Sequence, residues 1–333
     1  MRRTTLQRTA SLSVAVMPAL IIGSLLYAAF FVKPHAQGVS VKPPVIERRD
    51  IFYSVAVPAP DLIWAAGNHG KIVRSNDSGK TWSRQASGVT TELHSIAAWD
   101  AQRAVAVGKG TVVLTADGGK TWTRAGLPQS VDGVTLLRVR TYADGVVWAV
   151  GEMGAVLSSS DFGATWRSAG TGEDIAWNDV SFVKDAGWLV GEFGRMKETR
   201  DGGASWKAVE GPAKSSLNSI YFRNENEGVA LGTEGVMLHT RDGGTSWQPL
   251  PKVVEQNLFD VLWDGNRWVA VGDKGALLTA SGSGNQWSAN SVAAGTTWHT
   301  QIAGNGKRYV LAGYGVKAIE LPEVNSSNPG EAK

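Results

Sequence analysis

The chain has 333 residues, of which 43% are hydrophobic and 19% charged, with 40 Gly, 14 Trp and no Cys. This length provides for one large domain or two ordinary ones. The lack of Cys excludes a disulfide framework, a thiolate nucleophile, a Cys-ligated zinc and a lipoprotein thioether. Frequent Gly and Trp favour many tight turns with large aromatic anchors, a combination typical of all-β repeat proteins.

The formal charge of +3 would fit a nucleic-acid or membrane-surface partner. That charge belongs to the amino-terminal end. Residues 1–50 hold seven of the 33 basic and two of the 30 acidic residues, so residues 51–333 hold 26 basic and 28 acidic ones. The main part of the chain is therefore close to neutral, and its composition predicts no nucleic-acid partner.

Residues 1–32 predict a signal anchor or transmembrane helix. Arg2, Arg3 and Arg8 precede a run without charge over residues 10–32, and about 20 apolar residues span the hydrocarbon core of a bilayer. Positive charge before the run predicts that the remaining chain lies in the periplasm or an equivalent lumen. Secretion after signal cleavage is the alternative, with a usual apolar core of about 7–15 residues. Residues 33–50 contain three Pro and predict an extended linker.

An eight-residue box, Ser/Thr-x-Asp-x-Gly-x-Thr/Ser-Trp, recurs about every 40 residues, with a degenerate sixth copy at 280–287. Its Asp and Trp residues are Asp77, Trp82, Asp117, Trp122, Asp161, Trp166, Asp201, Trp206, Asp242 and Trp247. We expect a structural box, because Asp accepts hydrogen bonds within its own turn and Trp is a large apolar anchor. One carboxylate per turn is too few for calcium, so we predict no metal and no cofactor.

Two further marks recur seven times. Gly pairs, from Gly67 and Gly70 to Gly313 and Gly315, lie between apolar runs and indicate hairpins. Alternating apolar and polar runs open each unit, starting at Phe52, Leu93, Leu136, Trp177, Leu217, Leu258 and Trp298. Four strands in about 40 residues form one blade of a β-propeller. The sequence therefore predicts an all-β, seven-bladed propeller over residues 51–321, with a disordered tail at 322–333. The last unit lacks a fourth strand, which the segment near residues 45–49 would supply.

The box resembles the Asp-box, or bacterial neuraminidase repeat, of sialidases and sortilin-type receptors. Residues 191–194 followed by the box at 199–206, and residues 227–230 followed by the box at 240–247, resemble the photosystem II assembly/stability factor family of seven-bladed propellers. The resemblance covers residues 51–321. It implies a non-enzymatic factor beyond a membrane that binds a membrane protein and assists complex assembly. In a host without photosynthesis it implies another envelope complex, such as a transporter. Cyanobacterial members resemble lipoproteins, whereas this chain has no Cys.

The third position of each opening run is polar. These residues are Ser54, Ser95, Arg138, Asp179, Ser219, Asp260 and Thr300. If the first strand of each blade is innermost, they ring the central channel, either as a solvated lining or as a site for a small polar or cationic ligand. Arg138, Asp179 and Asp260 are the candidate binding residues. Arg138 is expected to pair with Asp179, while this register gives Asp260 no neighbouring cation.

Turn tips provide a second candidate site, because binding residues concentrate on loops. Met153, Phe193 and Tyr314 are apolar residues at the Gly turns. They predict either a partner surface on one face or packing against an adjacent blade. Arg195, Lys197, Arg200 and Arg241 would add a basic patch around blades four and five.

No catalytic residue is predicted. A sialidase would carry an Arg triad, a Tyr nucleophile and a Phe/Tyr-Arg-Ile-Pro stretch before the first blade, and residues 45–48 do not match that stretch. A glycosidase of another kind needs two carboxylates facing each other across a cleft, and it remains the alternative function. The main prediction is a protein-binding propeller for a membrane protein or membrane complex. Neither the partner nor the oligomeric state follows from the sequence.

Overall fold

The computed structural model describes residues 4–31, 44–170, 172–290, 297–304 and 308–322. The chain divides into an amino-terminal unit, Met1–Pro44, and a second unit, Val45–Lys333. The predicted linker over residues 33–43 and the predicted tail over residues 323–333 lie outside the described residues.

The amino-terminal unit contains one helix, Thr4–Phe31, with Pro18 inside it. None of the helices in the described ranges is long and apolar enough to cross a membrane. The predicted transmembrane helix over residues 1–32 is therefore not supported.

The second unit consists of seven antiparallel sheets, which confirms the predicted all-β, seven-bladed propeller. Consecutive strands pair within each sheet, as expected for meanders joined by short turns. The second strands are the most completely buried. In blade 1, every residue of Leu62–Gly67 is buried, because apolar blades pack on both of its faces.

The strands follow in chain order. Blade 1 consists of Phe52–Ala59, Leu62–Gly67, Ile72–Ser75 and Ser83–Gln85, and blade 2 of Leu93–Ala98, Ala104–Gly108, Thr111–Thr115 and Thr123–Arg124. Blade 3 consists of Leu136–Thr141, Val147–Gly151, Val156–Ser159 and Arg167–Ser168, and blade 4 of Trp177–Val183, Ala186–Gly191, Met196–Thr199 and Lys207–Val209. Blade 5 consists of Leu217–Phe222, Gly228–Gly232, Met237–Thr240 and Gln248–Pro249, and blade 6 of Leu258–Trp263, Arg267–Gly272, Leu277–Ser281 and Trp287–Ala289. Blade 7 consists of His299–Gly304, Arg308–Gly313 and Gly315–Glu320. Short 3₁₀ turns lie at Asn68–Gly70, Gln129–Val131, Ala143–Gly145, Glu192–Gly194, Thr233–Gly235 and Asp273–Gly275.

The first strands form the inner ring of the propeller. Each contacts the first strand of the next blade, and the first strand of blade 1 contacts blade 7. The apolar core is divided among the junctions between blades. Trp64 of blade 1, for example, packs in one cluster with Ile96 and Trp122 of blade 2. The core therefore follows the ring instead of filling one central volume.

A belt of hydrogen bonds joins the inner strands. The third residue of one inner strand accepts a bond from the backbone N–H of the following blade, at 2.8–3.3 Å. The acceptor and donor pairs are Ser54 with Ile96, Ser95 with Val139, Asp179 with Ile220, Ser219 with Val261, Asp260 with Ile302, and Gln301 with Val55. The belt satisfies N–H groups that the packing of blades removes from water.

The belt is interrupted between blades 3 and 4. Blade 3 carries Arg138 at the acceptor position, and a guanidinium has no acceptor atom. The N–H of Val180 is instead bound at 2.8 Å by the carboxylate of Asp179 in its own strand. Blades 3 and 4 are joined there by ion pairs, described below.

The ring closes through inner strands. Thr300 Oγ1 donates to the carbonyl of Tyr53 at 2.8 Å, and an isolated bridge joins Ile51 to Tyr314. Residues 45–50 form bends and turns in place of the predicted closing strand, and blade 7 has three strands among the described residues. Val45 and Ile46 still pack against the apolar cluster of blades 7 and 1.

The Asp boxes are self-contained turns. Asp117 accepts a bond at 3.0 Å from the N–H of Thr121, one at 2.6 Å from its hydroxyl, and one at 2.8 Å from the hydroxyl of Thr115. These bonds favour the ionised carboxylate and lower the pKa of Asp117 to about 2. The same arrangement lowers the pKa of Asp77 and Asp161 to about 2.

Replacing Ser95 with Ala is expected to destabilise the propeller by about 1–3 kcal/mol, because the buried N–H of Val139 loses its acceptor. Equilibrium urea unfolding measures the difference. Ser83→Ala, at an exposed position of an outer strand, is the matched control and should change stability much less. Equal effects of the two substitutions would show that the belt does not contribute specifically.

Asp117→Asn is expected to lower the thermal midpoint at pH 6, with the difference from wild type shrinking as the pH falls from about 4 to 2. A carboxylate whose pKa is lowered on folding contributes stability above its unfolded pKa of about 3.9, and this contribution is lost as the pH approaches the folded pKa. Thermal scans of both proteins across this range provide the measurement. A difference that stays constant down to pH 2 would contradict the assignment.

Candidate functional site

The candidate residues Arg138, Asp179 and Asp260 meet in one buried charge cluster, which also includes Arg140. Arg138 Nε lies 3.7 Å from Asp179 Oδ1, and Arg138 Nη2 lies 3.5 Å from Asp260 Oδ1. Asp260 thus has the cation that the sequence register did not provide. Arg138 Nη2 also donates to the carbonyl of Phe259 in blade 6, at 3.3 Å, so its side chain links blades three positions apart.

Arg140, which the sequence analysis missed, makes the closest ion pair of the cluster. Its Nε donates to Asp179 Oδ1 at 2.9 Å and its Nη2 to Asp179 Oδ2 at 2.5 Å, a bidentate geometry that favours strong pairing. Its Nη2 also lies 3.6 Å from Asp260 Oδ1. Arg140 is two residues after Arg138 on the same strand, and this period-2 spacing was the available signal.

The two carboxylates of the charge cluster have opposite pKa shifts. Burial acts to raise the pKa of Asp179, but the ion pairs with Arg140 and Arg138 outweigh it and the pKa lies below its ordinary value. Burial raises the pKa of Asp260, and the attraction of Arg138 and Arg140 does not fully offset it. Both carboxylates also accept backbone N–H groups, from Ile220 and Ile302. Both carboxylates are therefore already engaged as hydrogen-bond acceptors within the fold.

Apart from Arg138, which also lines the channel mouth, the third positions lie between blades and not along an open channel. Ser54, Ser95, Asp179 and Ser219 have no exposed surface, because each makes the belt contact. In blade 7 the third position is Gln301, since His299 pairs with Gly313 at the start of the strand. A polar residue followed by Val or Ile marks this position in every blade. Thr300 is therefore the second residue of its inner strand and not a member of the belt.

The second positions of the inner strands surround the channel mouth, a cavity of about 250 Å³. Its lining consists of Tyr53, His94, Leu137, Arg138, Asn178, Asn218, Phe259 and Thr300. The two Asn side chains donate to main-chain carbonyls of the next blades, at 2.8 Å each. No carboxylate is part of this lining.

The turn face is the end of the propeller that carries the Gly turns and the channel mouth. Outside the amino-terminal helix, Met153, Phe193 and Tyr314 are the exposed large hydrophobic side chains of the described ranges, at 70%, 69% and 61% exposure. Met153 and Phe193 have φ of 53° and 57°, a left-handed conformation that costs a bulky residue about 1–2 kcal/mol. Both side chains point to solvent despite this strain.

The predicted basic patch is smaller than expected. Arg195 is exposed beside Phe193. Lys197 is buried, and its Nζ lies 2.7 Å from a carboxylate oxygen of Glu173. Lys197 is therefore not an exposed cation that a partner would meet. Among the described residues, no group of three or more His, Asp or Glu side chains has a geometry suited to a metal ion.

The structure is a seven-bladed propeller with Asp-box turns in five blades and a degenerate copy of the box in a sixth. The family model for the photosynthesis system II assembly factor YCF48 matches residues 171–315. With the seven-bladed fold, this match confirms the predicted resemblance to the photosystem II assembly factor family. No curated protein matches the chain.

Solved structures share the fold at low sequence identity. A structure of YCF48 bound to a D1 peptide has 16% identity and a TM-score of 0.67, over 80% of this chain and 92% of that chain. YCF48 from Cyanidioschyzon merolae has 16% identity and a TM-score of 0.65, over 80% and 94%. A GH74 xyloglucanase from Xanthomonas campestris has 15% identity and a TM-score of 0.69, over 83% of this chain and 53% of that chain.

Asp179→Asn is expected to destabilise the propeller by about 3–5 kcal/mol, because it leaves the guanidinium groups of Arg138 and Arg140 buried without full compensation. Glu320→Gln breaks the exposed pair with Arg308 and should cost at most about 1 kcal/mol. Urea unfolding compares both variants with wild type. A similar small loss in both would show that the buried charge cluster is not a structural centre.

Proposed function

We propose that this chain is a non-enzymatic binding propeller that assists the assembly or stability of a protein complex, and that its turn face holds the partner. The observation that carries the proposal is the exposure of Met153 and Phe193 in a strained backbone. Equivalent turn positions hold the polar residues His69, Glu234 and Lys274. Apolar residues at strained, exposed positions are retained where a functional contact offsets the strain.

A membrane protein is the partner class that we propose. The support is the family resemblance together with the relative whose structure holds a D1 peptide. The channel mouth offers Tyr53, Leu137 and Phe259 beside amide groups, a mixture that suits an extended peptide with apolar side chains. In a host without photosynthesis, the partner would be another envelope complex or a transporter.

The environment of the two buried carboxylates does not favour a glycosidase function. Asp179 and Asp260 are buried in ion pairs and belt hydrogen bonds, so they are not placed to protonate a glycosidic oxygen or attack a sugar across an open cleft. The similarity to the GH74 xyloglucanase concerns the fold. Hydrolysis of a glycan by the purified chain, with no stoichiometric partner, would overturn our proposal.

Periplasmic or luminal placement of the propeller is also a proposal, and it rests on the sequence of residues 1–32. Arg2, Arg3 and Arg8 before an uncharged run are typical of export signals. Alkaline phosphatase fused after residue 322 should be active in cells. An inactive fusion of normal abundance would contradict export.

The double substitution Met153→Asn and Phe193→Asn is expected to abolish partner binding while the propeller stays as stable as wild type or becomes more stable. Asn tolerates positive φ better than Met or Phe, and the lost side chains are exposed. The measurement is affinity purification of the tagged chain with quantification of the stoichiometric partner, alongside a thermal scan.

Lys120→Asn provides the matched control, because Lys120 is exposed in the Asp box of blade 2 at the opposite end of the propeller. This variant should retain the partner at the wild-type level. Retention of the partner by the double variant would exclude the turn face as its binding surface.

A further inference from the structure

Arginine side chains cover aromatic rings at blade junctions on the Asp-box face, the end of the propeller opposite the turn face. Between blades 1 and 2, the guanidinium of Arg74 lies 4.8 Å from the ring centroid of Trp64. It also donates at 2.5 Å to the carbonyl of Gly118, in the Asp box of blade 2. Ring and carbonyl together form a seat for the guanidinium.

The junction between blades 4 and 5 repeats this seat. The guanidinium of Arg200 lies 5.3 Å from the ring centroid of Trp188 and donates at 2.5 Å to the carbonyl of Gly243. Gly243 has the same box position as Gly118. Guanidinium groups lie over rings at three further junctions, in the pairs Arg103 with Phe162, Arg223 with Trp263, and Arg267 with Tyr309.

Between blades 3 and 4 the seat is present without its arginine. Trp148 has the strand position of Trp64 and Trp188, and Gly202 has the box position of Gly118. Ser158 of blade 3 occupies the repeat position that holds Arg74 in blade 1. Ser160 of blade 3 occupies the repeat position that holds Arg200 in blade 4.

The short Ser side chains leave a cavity of about 540 Å³, which we call the blade 3–4 cleft. It is lined by Tyr142, Ala143, Val146, Trp148, Ser158, Ser159, Ser160, Arg167, Phe182, Lys184, Asp185 and Gly202. A Cβ built on Gly118 would lie 2.9 Å from Nη1 of Arg74, whereas one built on Gly202 would meet Asp185 Oδ1 at 3.7 Å. The volume that arginine occupies at the other junctions is therefore open here.

The two cationic side chains around the cleft each have a partner, and its one carboxylate is exposed to solvent. Asp185 is exposed at the rim. Lys184 forms an ion pair with Glu225, and the exposed Arg167 donates through Nε to Ser158 Oγ at 2.9 Å. The open features of the cleft are thus an aromatic floor of Trp148 stacked on Phe182, with centroids 4.6 Å apart, beside polar acceptors.

We propose that the blade 3–4 cleft binds an arginine side chain of a partner polypeptide, which completes in trans the seat that Arg74 and Arg200 complete within the chain. A planar guanidinium stacks on an indole and donates in its own plane, which an ammonium group cannot do. An apolar side chain would leave the carbonyl of Gly202 without a donor.

A polypeptide is the source of the guanidinium that fits the cleft. A cavity of this volume falls in the usual range of about 300–1,000 Å³ for ligand sites, larger than a guanidinium alone needs. Its rim is exposed at Ser160, Lys184 and Asp185, so flanking main chain can pass along it. The cleft and the turn face are at opposite ends of the blades, and each proposal stands if the other fails.

The test uses the full chain with ¹⁵N-labelled tryptophan and two tripeptides, acetyl-Gly-Arg-Gly-amide and its isosteric neutral counterpart with citrulline. The arginine peptide should shift the indole N–H resonance of Trp148 in a saturable way, with at least tenfold higher affinity than the citrulline peptide. Equal affinity for the two peptides would overturn the proposal. Free L-arginine should bind more weakly, and binding as tight as that of the peptide would overturn the assignment to a polypeptide.

Two variants make the test specific. Ser160→Arg places a guanidinium at the repeat position of Arg200 and should remove peptide binding while raising the thermal midpoint. Arg74→Ser opens the equivalent seat between blades 1 and 2 and should add a second saturable shift, at the indole of Trp64. Unchanged binding to Ser160→Arg, or no new shift in a folded Arg74→Ser protein, would contradict the proposed seat.

Discussion

Hydrogen bonds between inner strands are the constraint on which the propeller depends. Each blade alone is a small meander with an apolar face on both sides, so it needs two neighbours. The belt fixes how neighbours meet, since the side chain of Ser95 can reach the N–H of Val139 at 3.1 Å only in one register. With that register set, the apolar clusters of every junction come together, and the turns and boxes emerge at opposite ends.

The fold was largely predictable from the sequence because several repeated sequence features indicate the same blade unit. The period of about 40 residues and the Gly turns indicate seven blades, the boxes mark six of them, and the structure has seven sheets. The closing segment was not predictable in the same way. Residues 45–50 carry no repeat mark, and Val45 and Ile46 pack against the ring from turns. Hydrophobicity alone does not separate a packed turn from a strand.

The site was less predictable, since side-chain direction depends on single-residue register. The alternation that starts at Trp298 predicts Thr300 at the third position, whereas Gln301 makes the belt contact. A pattern that uses one position per strand does not reveal Arg140, although alternate residues of a strand share a face. Lys197 illustrates a different limit. Nothing in the local sequence shows that Glu173, in a connecting loop, neutralises it.

The interruption of the belt has a consequence for how a partner would be oriented. A ring of near-identical blades presents many equivalent rotational settings to anything that approaches along its axis. The junction between blades 3 and 4 differs from the others in two places. At the inner strands, ion pairs replace the belt hydrogen bond. On the Asp-box face, Ser160 occupies the repeat position that holds Arg200 in blade 4. This broken pseudosymmetry gives the ring a single reference direction. A ligand that recognises this junction therefore docks in one angular setting.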